Sequence, residues 1–150
     1  MWNIIIFLVV LALFHAYWEV EIEGKDGGWA GKLPTWRRNN WFRKILGGKS
    51  LTGYHFWMIV IFQMFFHSIF LFQDWALGKE LVLQGTYFLY FLAEDVLWFV
   101  INPHYTFKRF LQQKIEWHKR WCLFLPVSYW FGLLMGGLLI GGGSFLLNYN

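Results

Sequence analysis

A chain of 150 residues that is 57% hydrophobic, 23% aromatic and only 15% charged falls well below the roughly one quarter of charged residues in a soluble domain. Such a composition leaves no room for a separate soluble domain, and a net charge of +4 confined to the flanks of apolar runs points to anionic lipid headgroups and excludes nucleic acid. Cys122 is the single cysteine, which excludes an internal disulfide.

The first apolar run covers about residues 2–20. With no basic residue before it and no small-residue cleavage site after it, it reads as a retained membrane span. His15 and Glu19, four residues apart, share a helix face in its second half. Residues 21–50 form the first basic segment, opening on the turn Gly24-Lys25-Asp26-Gly27-Gly28 and closing at Gly47-Gly48. Between those turns, residues 34–46 predict a short interfacial helix with Trp41, Phe42, Ile45 and Leu46 on one face. Arg37, Arg38, Arg43 and Lys44 there are candidate headgroup contacts. The run Gly47-Gly48-Lys49-Ser50 ends like a phosphate-binding loop but lacks its spacing and its preceding strand, so it reads as a turn.

A second span is predicted over about 51–74, with His55 at its start. Gln63, His67 and Asp74 follow as a narrow stripe suited to interhelical hydrogen bonding or, functionally, to a proton or solute path. The third span, about 81–102, carries Glu94-Asp95 some seven residues from its end, hence roughly 10 Å inside the boundary at helical rise. Ionisable groups at that depth are costly and mark functional sites. Two neighbouring carboxylates there require a metal, a basic partner or a shared proton. Trp98 and Asn102 extend the same face.

Asn102-Pro103 then supplies a helix N-cap with proline at the first helical position. Residues 103–120 consequently predict an amphipathic interfacial helix, with Tyr105, Phe107, Phe110, Leu111, Ile115, Trp117 and His118 on its apolar face. Lys108, Arg109, Lys119 and Arg120 on the other face are candidate headgroup contacts. The fourth span, about 121–147, contains Gly132, Gly136, Gly137 and Gly141 at spacings that admit close helix approach, within one bundle or in a homo-oligomer.

Twelve of the thirteen Lys and Arg residues fall within 24–50 and 103–120, Lys79 being the exception. By the positive-inside rule both segments are cytoplasmic and both chain ends extracytoplasmic. The expected fold is all-α: a polytopic membrane protein with four transmembrane helices and one or two interfacial amphipathic helices, in a single domain over 1–150. The cytoplasmic side gathers candidate catalytic residues Glu94, Asp95, Asn102 and His118 and candidate metal ligands His15, Glu19, His55, Glu94 and Asp95. Imidazole with carboxylate suits zinc, iron or manganese, and carboxylates alone suit magnesium. The Glu-x-x-His pairs of di-iron bundles and the His-Glu-x-x-His of zincins are both absent from the sequence. The expected function is a small integral membrane enzyme acting on a lipid or other apolar substrate. A non-catalytic subunit or oligomerising scaffold is the alternative, and a proton or small-solute transporter a further one.

Overall fold

Apolar runs in hydrocarbon must satisfy their backbone hydrogen bonds internally, so helix is the form open to them. The computed structural model describes residues 2–39, 41, 43 and 48–149, and over these the chain is mostly helical. The α-helices are α1 (Trp2–Glu23), α2 (Gly53–His67), α3 (Leu77–Ile101), α4 (Phe107–Leu111) and α5 (Val127–Tyr149). A 3₁₀ turn, Gly24–Asp26, follows α1, and another, Ser68–Leu71, follows α2. Two short antiparallel ladders complete the fold: β1 (Arg37–Arg38) with β2 (Leu51–Thr52), and β3 (Trp121–Cys122) with β4 (Leu125–Pro126).

Among the described residues three stretches are long and apolar enough to cross a membrane: Ile5–Asp26, Gly53–Leu71 and Val127–Tyr149. Their outer faces are unburied, with Phe14, Met64 and Leu134 among many exposed large apolar side chains. Helix α3 differs because it carries Lys79, Glu80, Glu94 and Asp95. It lies at the centre, packed chiefly on α5 and then on α1, and of these four side chains Glu94 is the buried one.

Glycine makes the α3–α5 contact possible. A Cβ on Gly85 would stand 2.7 Å from the Gly136 carbonyl oxygen, and one on Gly143 would stand 2.6 Å from that of Gly78. Two glycines seven residues apart on each helix thus form a backbone-to-backbone seam. Of the other glycines raised as oligomer contacts, Gly132, Gly137 and Gly141 leave open space where a side chain would stand.

The expected amphipathic helix over 103–120 is corrected to a single short helix, α4. Asn102 does not cap a helix at Pro103. Its side-chain oxygen instead accepts from the backbone N–H groups of His104 and Tyr105, and the helix begins later, at a Thr106 cap. The helix then stops at Gln112, and Gln113 takes a left-handed φ of 58°. Arg109 holds that reversal through bonds to the Lys114 carbonyl and to Glu116, while Gln113 donates to the Leu123 carbonyl. Tyr105, Phe110 and Ile115 turn inward onto Trp98, Phe99 and Tyr129 as part of the core. Helix α5, the fourth expected span, starts at Val127 and not at 121, because the β3–β4 hairpin occupies 121–126 with Leu123 at φ 56°.

In the other expected interfacial helix, Arg37 and Arg38 instead form the β1 strand, paired with β2. Phe42, Lys44, Ile45 and Leu46 lie outside the described residues. Both basic segments meet at one end of the bundle: Asn102 Nδ2 donates to the Gly24 carbonyl at 3.3 Å, and the Trp117 ring lies where a Cβ on Gly28 would be 2.8 Å away.

Candidate functional site

At that loop-covered end a cavity of about 250 Å³ opens between α1, α2, α3 and α5. Its polar wall consists of Glu19 and Glu23 from α1, His55 from α2, Glu94 and Asp95 from α3, and Lys49 from the loop before β2. Its other wall is apolar, with Met58, Phe88, Phe91, Leu92 and Phe131.

Helix periodicity explains the α1 contribution. His15, Glu19 and Glu23 repeat every four residues and so form one stripe, all three buried. Ala12 and Ala16 beside them are fully covered, which marks this as the packed face of α1. Glu19, Glu23 and His55 each bring one ligand atom to within 4.8 Å of the others. One imidazole and two carboxylates in so small a volume form a three-ligand set of the kind that leaves a fourth position on zinc for water or substrate.

Each of the three is held in place by a further group. Tyr54 donates its hydroxyl to Glu19 Oε1 at 2.5 Å. The backbone N–H of Ala30 donates to Glu23 Oε1. His55 Nδ1 lies 2.7 Å from Thr52 Oγ1, which also accepts the His55 backbone N–H as the α2 N-cap. When Nδ1 carries the proton and donates to that hydroxyl, Nε2 keeps its lone pair for a metal, an arrangement general among metal-binding histidines.

The loop that supplies these contacts is strained. Trp29 and Ala30 both have left-handed φ, 62° and 53°, at a cost of about 1–2 kcal/mol per residue for side-chain-bearing positions. Several contacts hold it: Trp29 Nε1 donates to the Ser50 carbonyl at 2.7 Å, the Trp29 ring stacks on His55 at 4.1 Å, and Arg37 donates to the Ala30 carbonyl. The Lys49 ammonium rests 4.2 Å above the same Trp29 ring. Burial lowers the Lys49 amine to about 8, the carboxylates of Asp95 and Glu23 opposing that shift. Among the described residues Lys49 makes no ion pair.

Glu94 is buried, and Asp95 beside it accepts a 2.5 Å bond from the Tyr129 hydroxyl. His118 Nε2 stands 3.9 Å from the same Asp95 oxygen, and among the described residues neither of its ring nitrogens has a hydrogen-bond partner. Enclosure by the rings of Phe99, Phe110, Trp117, Trp121 and Tyr129 pushes the His118 imidazole well below its ordinary range, with Lys49 adding to the effect. His118 therefore adjoins the cavity through Asp95 without lining it.

Of the expected metal ligands, Glu19 and His55 come together, while Glu94 and Asp95 face them from α3. His15 stays one turn deeper on α1, stacked on Phe62 and bonded through Nδ1 to the Tyr90 hydroxyl at 3.2 Å. Asn102 ties the end of α3 to the loops and does not line the cavity. Glu23, Lys49, Tyr54 and Tyr129 are additions. The α1 stripe, continued one further turn, signals Glu23, whereas no local pattern signals the other three.

The basic residues divide into two groups. Arg37, Arg43 and Arg109 spend their guanidinium groups on backbone carbonyls, and Arg38 lies 5.6 Å from the Trp36 ring centroid. Lys108, Lys119 and Arg120 are exposed, and Lys44 lies outside the described residues. The α2 stripe joins α3 at the opposite end of the bundle: Gln63 donates to Gln84 at 2.8 Å and His67 meets Glu80 at 3.0 Å, while Asp74 lies beyond the helix. No family model matches this chain, and neither the curated proteins nor the solved structures contain a match to it.

Proposed function

We propose that this chain is a small integral membrane enzyme that uses a divalent metal at Glu19, Glu23 and His55 on an apolar or amphiphilic substrate dissolved in the bilayer. In this reading α3 is a fourth span, both chain ends are extracytoplasmic and both basic segments are cytoplasmic, following the distribution of Lys and Arg. The observation that carries the proposal is the approach of three ligand atoms within 4.8 Å at the polar end of an otherwise apolar cavity.

Four carboxylates and one ammonium line that cavity. So many like charges in a poorly solvated space persist only with a bound cation or with shared protons. One imidazole with carboxylates favours zinc, iron or manganese. Bound there, the metal supplies a Lewis acid for a substrate oxygen. Glu94 and Asp95, on the facing wall, exchange protons with the substrate, and Tyr129 holds the Asp95 carboxylate in orientation. His118 and Asn102 act on the site indirectly, His118 through Asp95 and Asn102 by fixing the loop end.

Elemental analysis of protein purified in mild detergent tests this reading. One zinc, iron or manganese per chain is expected, with loss in Glu23→Gln, whose amide is a poor ligand. A wild-type protein without metal that also takes up none on titration contradicts it. A second reading, a helical subunit that pairs with a copy of itself, draws on the exposed Gly137 and Gly141, where an added Cβ would meet no described atom within 4 Å. Crosslinking that captures only monomer argues against it.

A further inference from the structure

The apolar arm of the cavity carries an inference about the substrate, one that rests on the metal-enzyme reading above. Helix α5 packs on α3 and α3 on α1, whereas among the described residues α2 and α5 form no extensive interface. The cavity lies in the gap between them, with His55 and Met58 on the α2 side, Ser128 and Gly132 on the α5 side, and α3 as its floor. From Asp95 to Phe88 that floor runs seven residues, about 10 Å of helical rise, and changes from carboxylates to aromatic and aliphatic side chains.

Gly132 is the informative residue. It is buried, yet a Cβ placed there would meet no described atom outside its own helix turn within 4 Å. Buried glycines on the α3–α5 seam, Gly85, Gly136 and Gly143, are the opposite case, since any Cβ on them collides with the facing helix. The space beside Gly132 is therefore kept open by the absence of a side chain and is continuous with the cavity. At the other end Lys49 stands among the four carboxylates. It is the cation of the polar wall, makes no ion pair among the described residues, and its N–H groups remain available for an acceptor. A metal held by three protein ligands likewise keeps a position open for an oxygen.

We infer that the substrate is a single-chain amphiphile with a phosphate headgroup, which enters sideways between α2 and α5. Its hydrocarbon chain lies beside Gly132, over Phe88 and Leu92, and its headgroup oxygens meet Lys49 and the metal. The cavity volume of about 250 Å³ is below the range typical of pockets that enclose a drug-sized ligand. It accommodates a headgroup and the first part of one chain, the remainder staying in the bilayer, and it is too small for a two-chain lipid.

The test is native mass spectrometry of the metal-loaded protein with dodecyl phosphate, dodecanol or dodecyltrimethylammonium added at equal concentration. Wild type is expected to retain one dodecyl phosphate, with about tenfold preference over each of the other two. Gly132→Leu directs its side chain into the chain arm from a Cβ that meets no atom within 4 Å, so it is expected to keep its metal and to lose dodecyl phosphate by about tenfold or more. Gly142→Leu, which also meets open space but away from the cavity, retains the ligand as wild type does. Lys49→Gln keeps the chain and loses the preference for phosphate over alcohol. The inference is overturned if Gly132→Leu binds dodecyl phosphate as wild type does, or if the trimethylammonium compound is preferred. Failure to bind any metal sinks the underlying enzyme reading instead, whereas normal metal binding with no amphiphile retained sinks only this inference.

Discussion

Lys49 shows how one buried cation is set by its surroundings. Glu19 and Glu23 face it across the cavity from α1, His55 from α2, and Glu94 and Asp95 from α3. Burial outweighs the attraction of the carboxylates, so the amine titrates near 8 against an ordinary 10.5. The sign is that of a lysine whose charged form is disfavoured: ammonium prevails below pH 8 and free amine above it, in a range where exposed lysines stay charged. Nuclear magnetic resonance of protein carrying ¹³C-labelled lysine, in the metal-free state, should show one resonance with a midpoint near pH 8 that disappears in Lys49→Arg. A set of lysines all titrating above pH 10 contradicts this account of the loop. Thr52 offers a second test at the same scale. Its hydroxyl orients His55, and removing a group that orients a metal-binding histidine typically costs about 10–100-fold in metal affinity. Thr52→Ala should weaken metal binding within that range, as read by competition with a fluorescent chelator, and unchanged affinity removes Thr52 from the site.

The α3–α5 seam depends on positions where no side chain fits. Gly85→Ala forces a Cβ to within 2.7 Å of the Gly136 carbonyl and should cost about 1–3 kcal/mol, read as a lower melting temperature in detergent. Gly142→Ala meets nothing and should be neutral or slightly stabilising through helix propensity alone. Equal effects of the two substitutions contradict the packing described for α3 and α5. The helices themselves were legible, because apolar runs of this length have few other solutions. The segment 103–120 was not, although its apolar residues recur at helical spacing. There the outcome is decided by side chains that compete for the backbone, Asn102 at the start, Arg109 and Gln113 at the reversal, and by a core that draws Phe110 and Ile115 inward. Periodicity reports that a face is apolar and says nothing of which surface covers it. Glu19, His55, Glu94 and Asp95 were legible as candidates because ionisable residues in apolar runs stand out. Glu23 was hidden by ending the first span near residue 20, and Lys49 by resembling an ordinary turn residue.

Across the whole molecule, polar residues are sorted by end. The loop-covered end holds the cavity, and the other holds the network of Gln63, His67, Glu80 and Gln84 that ties α2 to α3. The proposed orientation, with the loop-covered end cytoplasmic, follows from the distribution of Lys and Arg. Cys122, exposed and the single cysteine, serves as a reporter. A membrane-impermeant maleimide should label it in inside-out vesicles and not in right-side-out ones. In a Cys122→Ser background, Asn148→Cys should label with the opposite sidedness, and labelling of both from the same side contradicts the orientation.

The central claim is that Glu19, Glu23 and His55 form one metal centre, and pulsed electron paramagnetic resonance of manganese-loaded protein addresses it directly. The account predicts one tightly bound ion per chain coupled to a single imidazole nitrogen, with the coupling lost in His55→Ala and the affinity reduced in Glu19→Gln and Glu23→Gln. Bound manganese without nitrogen coupling, or with coupling that survives His55→Ala, would contradict it.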